Sequence, residues 1–329
     1  VTNEAEMTSN NESQPLIWLL LDDRAGNRSQ CIGVGNALGL PNVAKELTYS
    51  WAGKLPNGIL GASFFGLSKS SKKALTAPWP DLVIAAGRRT APVARQIKAL
   101  SKDKTKLVQI MWPGSSGVSE FDLIAVPEHD KIHEKENIIS TLGSPHKVTQ
   151  EVLGLLKQEW HPLFAKSVKP IIAVIVGGST KNKTFTDTMA NELGTQVSDM
   201  ANRVGGSLLV TTSRRTGNAA KTLIDSLSAP ATVYQWGDEG NNPYPAILAC
   251  ADATVVTGDS MSMCSEACSG TGPVYIYAPP ALITPKHKRL HDALYRGGYA
   301  KPLDGVFEHW QHQPLNSAVK IASAIKKLI

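Results

Sequence analysis

The chain has no apolar run near the roughly 20 residues that cross a bilayer, and it carries only four cysteines in 329 residues. A membrane-spanning helix is therefore not expected. Cys31, Cys250, Cys264 and Cys268 lack zinc-ligand spacing. Cys264 and Cys268 stand about one helical turn apart, as small buried hydrophobes do. A reducing compartment suits them best. Several familiar signatures are missing as well. Gly33-x-Gly35 has Leu38 where a dinucleotide fingerprint needs its third glycine, and the pair falls inside a predicted helix rather than at its mouth. The run Gly177-Gly178-Ser179-Thr180-Lys181-Asn182-Lys183-Thr184 has asparagine at the second glycine of a P-loop. No Gly-x-Ser-x-Gly elbow occurs. His129 and His133 have no further ligands at metal spacing, so no metal site and no cofactor are expected.

What is present describes a folded α/β protein. Hydrophobic residues make up 42% and charged residues 19%, and the net charge is +6. That charge admits nucleotide diphosphates, nucleic acids and anionic lipid surfaces as partners. No nucleic-acid motif accompanies it, so nucleic acid is set aside. Residues 1–14 are polar and read as a disordered tail. Buried-strand candidates then alternate with helical patterns: strands at 16–21, 81–86, 107–111 and 121–126, helices at 26–38 and 91–100. Val148, Val152, Leu155 and Leu156 line one face of a helix before Pro162 and Pro170 interrupt the chain. The alternation restarts with strands at 171–176, 207–212, 231–235, 253–257 and 273–277. Helices are expected at 185–203, after Thr216 and at 261–269. Ala318, Ile321, Ala322, Ile325 and Leu328 make a last amphipathic helix. This alternation implies parallel sheets with right-handed crossovers. The expected organisation is a first Rossmann-like domain at 15–150, a linker helix at 151–169, a second Rossmann-like domain at 170–312 and a C-terminal helix at 313–329 that returns toward the first domain. The two domains would face a cleft.

The stretch from Thr257 through Asp259, Ser260, Ser262 and Glu266, followed by Gly270-Thr271-Gly272-Pro273, reads as strand, polar turn, helix and glycine-rich exit. Ser260 or Ser262 can cap the helix, and Glu266 lies where a carboxylate can take both hydroxyls of a ribose. A plain capping box fits the same residues. The segment resembles the donor-binding signature of GT-B glycosyltransferases, particularly those that add N-acetylglucosamine to the lipid-linked peptidoglycan precursor. That resemblance gives Glu266 the ribose-holding role. It makes Gly177, Gly178, Ser179 and Thr180 a phosphate-side loop, and Arg214 or Arg215 a partner of the diphosphate.

A second resemblance covers nearly the whole chain. The blocks at 81–90, 121–130, 209–215 and 242–244 are similar to the mitochondrial-fission family named for elongated mitochondria. That family has plant members at the mitochondrial outer membrane and many bacterial, glycosyltransferase-like members.

In the first half, Asp22-Asp23-Arg24-Ala25-Gly26-Asn27-Arg28-Ser29-Gln30 leaves the first strand at the edge where ligands sit in open α/β sheets. Arg88 and Arg89 leave a later strand, as do Glu128, His129 and Asp130. Asp22, Asp23 and His129 are the candidates for proton transfer. Arg24, Asn27, Gln30, Arg88, Arg89, Glu128 and Asp130 are the candidates for the acceptor side. Each has a plain reading as a turn or surface residue. Transferases of the resembling type have histidine where this chain has Asn27, and an amide is no base near neutral pH. Residues 59–73 join an apolar stretch to Lys69, Lys72 and Lys73, which suits either an anionic lipid surface or a core helix with a solvated end. Two functions follow as expectations. One is a metal-independent inverting transferase, cytoplasmic and peripheral on the inner face of the membrane, that uses a nucleotide diphosphate sugar as co-substrate. The other is a non-catalytic membrane-peripheral adaptor, as the plant relatives are thought to be for a dynamin-type GTPase.

Overall fold

Every residue of the strands at Ile17–Leu21, Leu82–Ala86, Leu123–Pro127, Ile171–Ile175, Ser207–Thr211 and Ala253–Thr257 is buried. Strands covered on both faces need such unbroken apolar runs, and parallel sheets with helices on either side supply the cover. The computed structural model describes residues 14–133, 135–240 and 243–329. Residues 1–13 of the expected tail, and Asn242 of the last resemblance block, lie outside them.

The first half runs β1 (Ile17–Leu21), α1 (Ala25–Leu38), β2 (Val43–Glu46), α2 (Asn57–Leu60), α3 (Lys69–Ala74), β3 (Leu82–Ala86), α4 (Ala91–Leu100), β4 (Lys106–Ile110), β5 (Leu123–Pro127) and β6 (Ile138–Thr141). Its six strands are all parallel, in the order β2-β1-β3-β4-β5-β6. Helix α5 (Gln150–Phe164) follows. The second half runs β7 (Ile171–Ile175), α6 (Asp187–Arg203), β8 (Ser207–Thr211), α7 (Ala219–Asp225), β9 (Ala231–Tyr234), α8 (Tyr244–Cys250), β10 (Ala253–Thr257), α9 (Met261–Ala267), β11 (Val274–Tyr277), α10 (Pro285–Arg296) and β12 (Lys301–Pro302). This sheet is also parallel, in the order β12-β11-β10-β7-β8-β9. The last helix, α11 (Ala318–Ile325), packs on α1, and its Ala318, Ile321, Ala322 and Ile325 join the apolar cluster of β1, β3 and α1. Burying a branched aliphatic side chain of this kind stabilises by about 1.5–3 kcal/mol.

One sequence expectation changes. In α5 the buried positions are Leu153 and Phe164, whereas Leu155 is 62% exposed. The helix begins only at Gln150, after its Thr149 cap, so the face that meets α8 is set by 153 rather than 155. The Gly33-x-Gly35 pair serves packing. A Cβ on Gly33 would lie 2.4 Å from the backbone carbonyl of His146, and one on Gly35 would lie 2.7 Å from Leu19. These glycines let α1 lie against the chain that leaves β6 and against β1.

In each sheet the chain order reverses beside the first strand, between β1 and β3 and again between β7 and β10. Open α/β sheets have their crevices beyond the carboxyl ends of strands at such points.

Candidate functional site

Both switch-point crevices hold an aspartate paired with an arginine. In the first half, Asp22 follows β1 and Arg89 follows β3. The buried Asp22 carboxylate accepts from the Arg24 N–H at 3.0 Å, from Asn27 Nδ2 at 2.8 Å and from Arg89 Nη2 at 2.5 Å. Arg89 also pairs with Asp23 and lies 4.2 Å over the ring of Tyr49. Burial, then the contact with Asp23, lifts the Asp22 carboxyl above the usual range, while the Asp22 contact and Arg89 hold Asp23 below it. Asn27 has room because residue 87 is glycine: a Cβ there would lie 2.3 Å from Asn27 Nδ2. Asn27 thus orients the Asp22 carboxylate by donating to its Oδ2.

The other acceptor-side candidates divide. Arg88 donates to the Leu55 carbonyl at 2.6 Å and to Asn57 Oδ1 at 3.1 Å, so it pins the 55–57 turn. Arg24 and Glu128 are exposed, and the buried Gln30 has an unpartnered Oε1. His129 is drawn into the contact between halves. Its carbonyl accepts from Arg289 Nε at 2.8 Å, and Asp130 beside it pairs with Lys286. Burial lowers the His129 imidazole to about 4, so it is neutral at pH 7.

In the second half Asp259 follows β10 and Arg215 follows β8, with the loop after β7 between them. Asp259 Oδ2 accepts from the Gly178 N–H at 3.0 Å and from Arg215 Nη1 at 2.5 Å. The other three N–H groups of this loop are also spent inside the protein: Gly177 on Thr257 Oγ1, Ser179 on the Arg215 carbonyl and Thr180 on the Lys183 carbonyl. Gly178 has φ +127°, and a Cβ there would lie 2.3 Å from the Arg215 carbonyl oxygen, so only glycine fits. Arg214 is exposed. Ser260 caps α9 through the Met263 N–H, and Ser262 Oγ lies against Gly26 at the start of α1.

One turn along α9, Glu266 is buried and accepts from two hydroxyls, Ser29 Oγ on Oε1 at 3.2 Å and Tyr244 Oη on Oε2 at 2.6 Å. Burial raises its carboxyl, against the pull of those two bonds. Beside it the Ser144 N–H of the first half donates to Ser265 Oγ at 2.9 Å. The carboxyl ends of the two sheets therefore meet through α1, α9 and α10. Sequence reasoning missed Ser29, Tyr244, Ser265, Lys286 and Arg289. Ser29 stood within the quoted 22–30 stretch and Tyr244 within a resemblance block, but nothing local marks either as a partner of Glu266. Among the described residues no three His, Cys, Asp or Glu side chains gather as a metal site. A groove of about 740 Å³ beyond β11 has His291, which packs against Gly258, in its wall, and none of Asp22, Arg89, Asp259 or Arg215 lines it.

The sequence model described as mitochondrial fission ELM1 matches residues 25–329. The chain belongs to the mitochondrial fission ELM1 family. Among ELM1 relatives, an uncharacterized protein of Rickettsia prowazekii is 29% identical over 94% of this chain and 97% of its own length. The mitochondrial fission protein ELM1 of Arabidopsis thaliana is 28% identical over 82% of this chain and 68% of its own. This ELM1-family chain has the two-domain fold of GT-B nucleotide-sugar enzymes. The UDP-GlcNAc 2-epimerase of Methanocaldococcus jannaschii, solved with UDP-GlcNAc and UDP, aligns with TM-score 0.52 at 12% identity, over 95% of this chain and 99% of that one. The glycotransferase of kitacinnamycin aligns with TM-score 0.51 at 12% identity, over 96% and 90%.

Proposed function

We propose that the protein binds a nucleotide diphosphate sugar through its second half and transfers the sugar to a cell-envelope glycan or lipid acceptor held by the first. The observation that carries this reading is Glu266, a buried carboxylate whose two oxygens each accept from a hydroxyl. A ribose presents two adjacent hydroxyls to the same acceptor. Arg215 supplies the cation for a diphosphate, with the exposed Arg214 beside it. Asp22, raised by burial and oriented by Asn27, is the base for the acceptor hydroxyl. No metal enters this reading.

Thermal unfolding against UDP, GDP, ADP, CDP and dTDP and their common sugars tests it. A ligand at 100 times its Kd stabilises by about 2.7 kcal/mol, and Glu266→Gln should abolish that gain while keeping the fold. A flat response of the wild type across the panel would sink the transferase.

The second reading is a membrane-peripheral adaptor, favoured by Asn27 and by one surface. Leu60 and Leu67 of the 59–73 stretch are buried, but Ile59 and Phe65 beside them, and Trp51, are 70%, 56% and 73% exposed. Trp51 meets Phe65 edge to face, and Lys72 Nζ lies 5.9 Å over the Phe65 ring. Aromatic rings among lysines fit an anionic bilayer, each lysine contributing about 1 kcal/mol there. No helix among the described residues is long and apolar enough to cross a membrane. Sedimentation with phosphatidylserine vesicles should fall about tenfold in a Trp51→Ala/Phe65→Ala double variant and weaken in high salt. Equal sedimentation of variant and wild type would remove this surface from consideration.

A further inference from the structure

We propose that, with its two halves closed, the protein fills its own donor site, so that binding a nucleotide sugar requires the halves to part at α1 and α9. This rests on reading Glu266 as the ribose-binding carboxylate. Glu266, the Gly178 N–H and Arg215 are already matched by protein groups of the donor's own chemistry. Ser29 and Tyr244 bring two hydroxyls to the two oxygens of Glu266, as a ribose diol would. Asp259 brings an anionic oxygen to the Gly178 N–H and to Arg215, as a phosphate would.

The two substitutions differ in origin. Tyr244 and Asp259 belong to the second half, whereas Ser29 is in α1 of the first and reaches Glu266 across the cleft. Gly26 against Ser262, and the Ser144 N–H on Ser265, tighten the same seam. Ser29 Oγ lies 3.2 Å from Glu266 Oε1, so a ribose hydroxyl brought to that oxygen meets the Ser29 side chain there. Closure and donor binding are therefore opposed at this point, and of the contacts that join the halves, Ser29 is the one that ends on the donor-binding carboxylate.

Substituting Ser29 separates the cases. Ser29→Ala removes the cross-cleft donor and Ser29→Thr keeps a hydroxyl. Both are compared with wild type by hydrogen–deuterium exchange over residues 22–32 and 257–268, and by calorimetric titration with the same diphosphates and their sugars. The expected result for Ser29→Ala is faster exchange in both segments and about fivefold tighter nucleotide-sugar binding, the worth of one hydrogen bond of about 1 kcal/mol, with Ser29→Thr near wild type. Unchanged exchange in a folded Ser29→Ala protein overturns the proposal. So does weaker binding, which would make Ser29 part of the ligand site. Faster exchange with no nucleotide bound by either protein leaves the seam standing as a clamp and removes the nucleotide reading instead.

Discussion

Replacing Gly33 by alanine is expected to lower stability by about 3 kcal/mol, the upper end of what a forced methyl costs in a packed interior. The added Cβ would meet the carbonyl carbon and oxygen of His146 at 2.4 Å and the Lys147 nitrogen at 2.9 Å. All three atoms are backbone, so no rotamer change relieves them. The chain there is held by His146 Nε2 on the Leu315 carbonyl at 3.1 Å and by Asn316 Nδ2 on the His146 carbonyl at 3.0 Å. Gly154 is the control. It is exposed in α5 with nothing within 4 Å of its added Cβ, so Gly154→Ala should stabilise by about 0.5–1 kcal/mol. Urea midpoints of the two variants should move in opposite directions. A Gly33→Ala midpoint within error of wild type would mean that α1 is not seated as described.

The second large effect is on acid stability. Burial pushes three imidazoles, His129, His146 and His291, down to about 4. The unfolded chain takes up these protons near 6.5 and the folded chain does not. Stability is therefore present above about pH 6.5 and is lost as pH falls toward 4. Each histidine costs on the order of 1–2 kcal/mol by pH 5, so the three together rival the stability of an ordinary domain. Asp22 and Glu266, raised by burial, act with the opposite sign and soften the fall. Melting temperature between pH 7.5 and 5 measures the slope, and His146→Gln should flatten it. A flat wild-type profile, or an unchanged slope in the variant, would contradict the buried neutral imidazoles.

The strands of the two sheet interiors were legible because they are unbroken apolar runs. The elements that escaped have physical reasons. β2 is a largely exposed edge strand whose Val-Ala-Lys-Glu carries no such run. α10 reads as polar, yet its buried residues, His287, Leu290, His291 and Leu294, keep helical spacing. Counting the two histidines as core positions would have revealed it. The site was legible as a set of strand exits, since every exit lies on the carboxyl edge of its sheet. Its pairings were not. Ser29 and Glu266 are 237 residues apart, and Arg215 and Asp259 are 44 apart, so the meeting of the two halves decides that Ser29 is taken, and the order of strands within the second sheet decides which arginine is. Within the first half the same holds: Arg88 and Arg89, adjacent in sequence, take different partners, the 55–57 turn and Asp22 with Asp23.

The return of α11 to α1 also sets an order of assembly on the ribosome. The first sheet is synthesised early, but one wall of its core waits for Ala318 through Ile325, which emerge after every strand of the second sheet. The second half can close its core while the first still shows the apolar side of α1 to solvent. The half made first is thus completed last, and in the interval it is the surface a chaperone would meet.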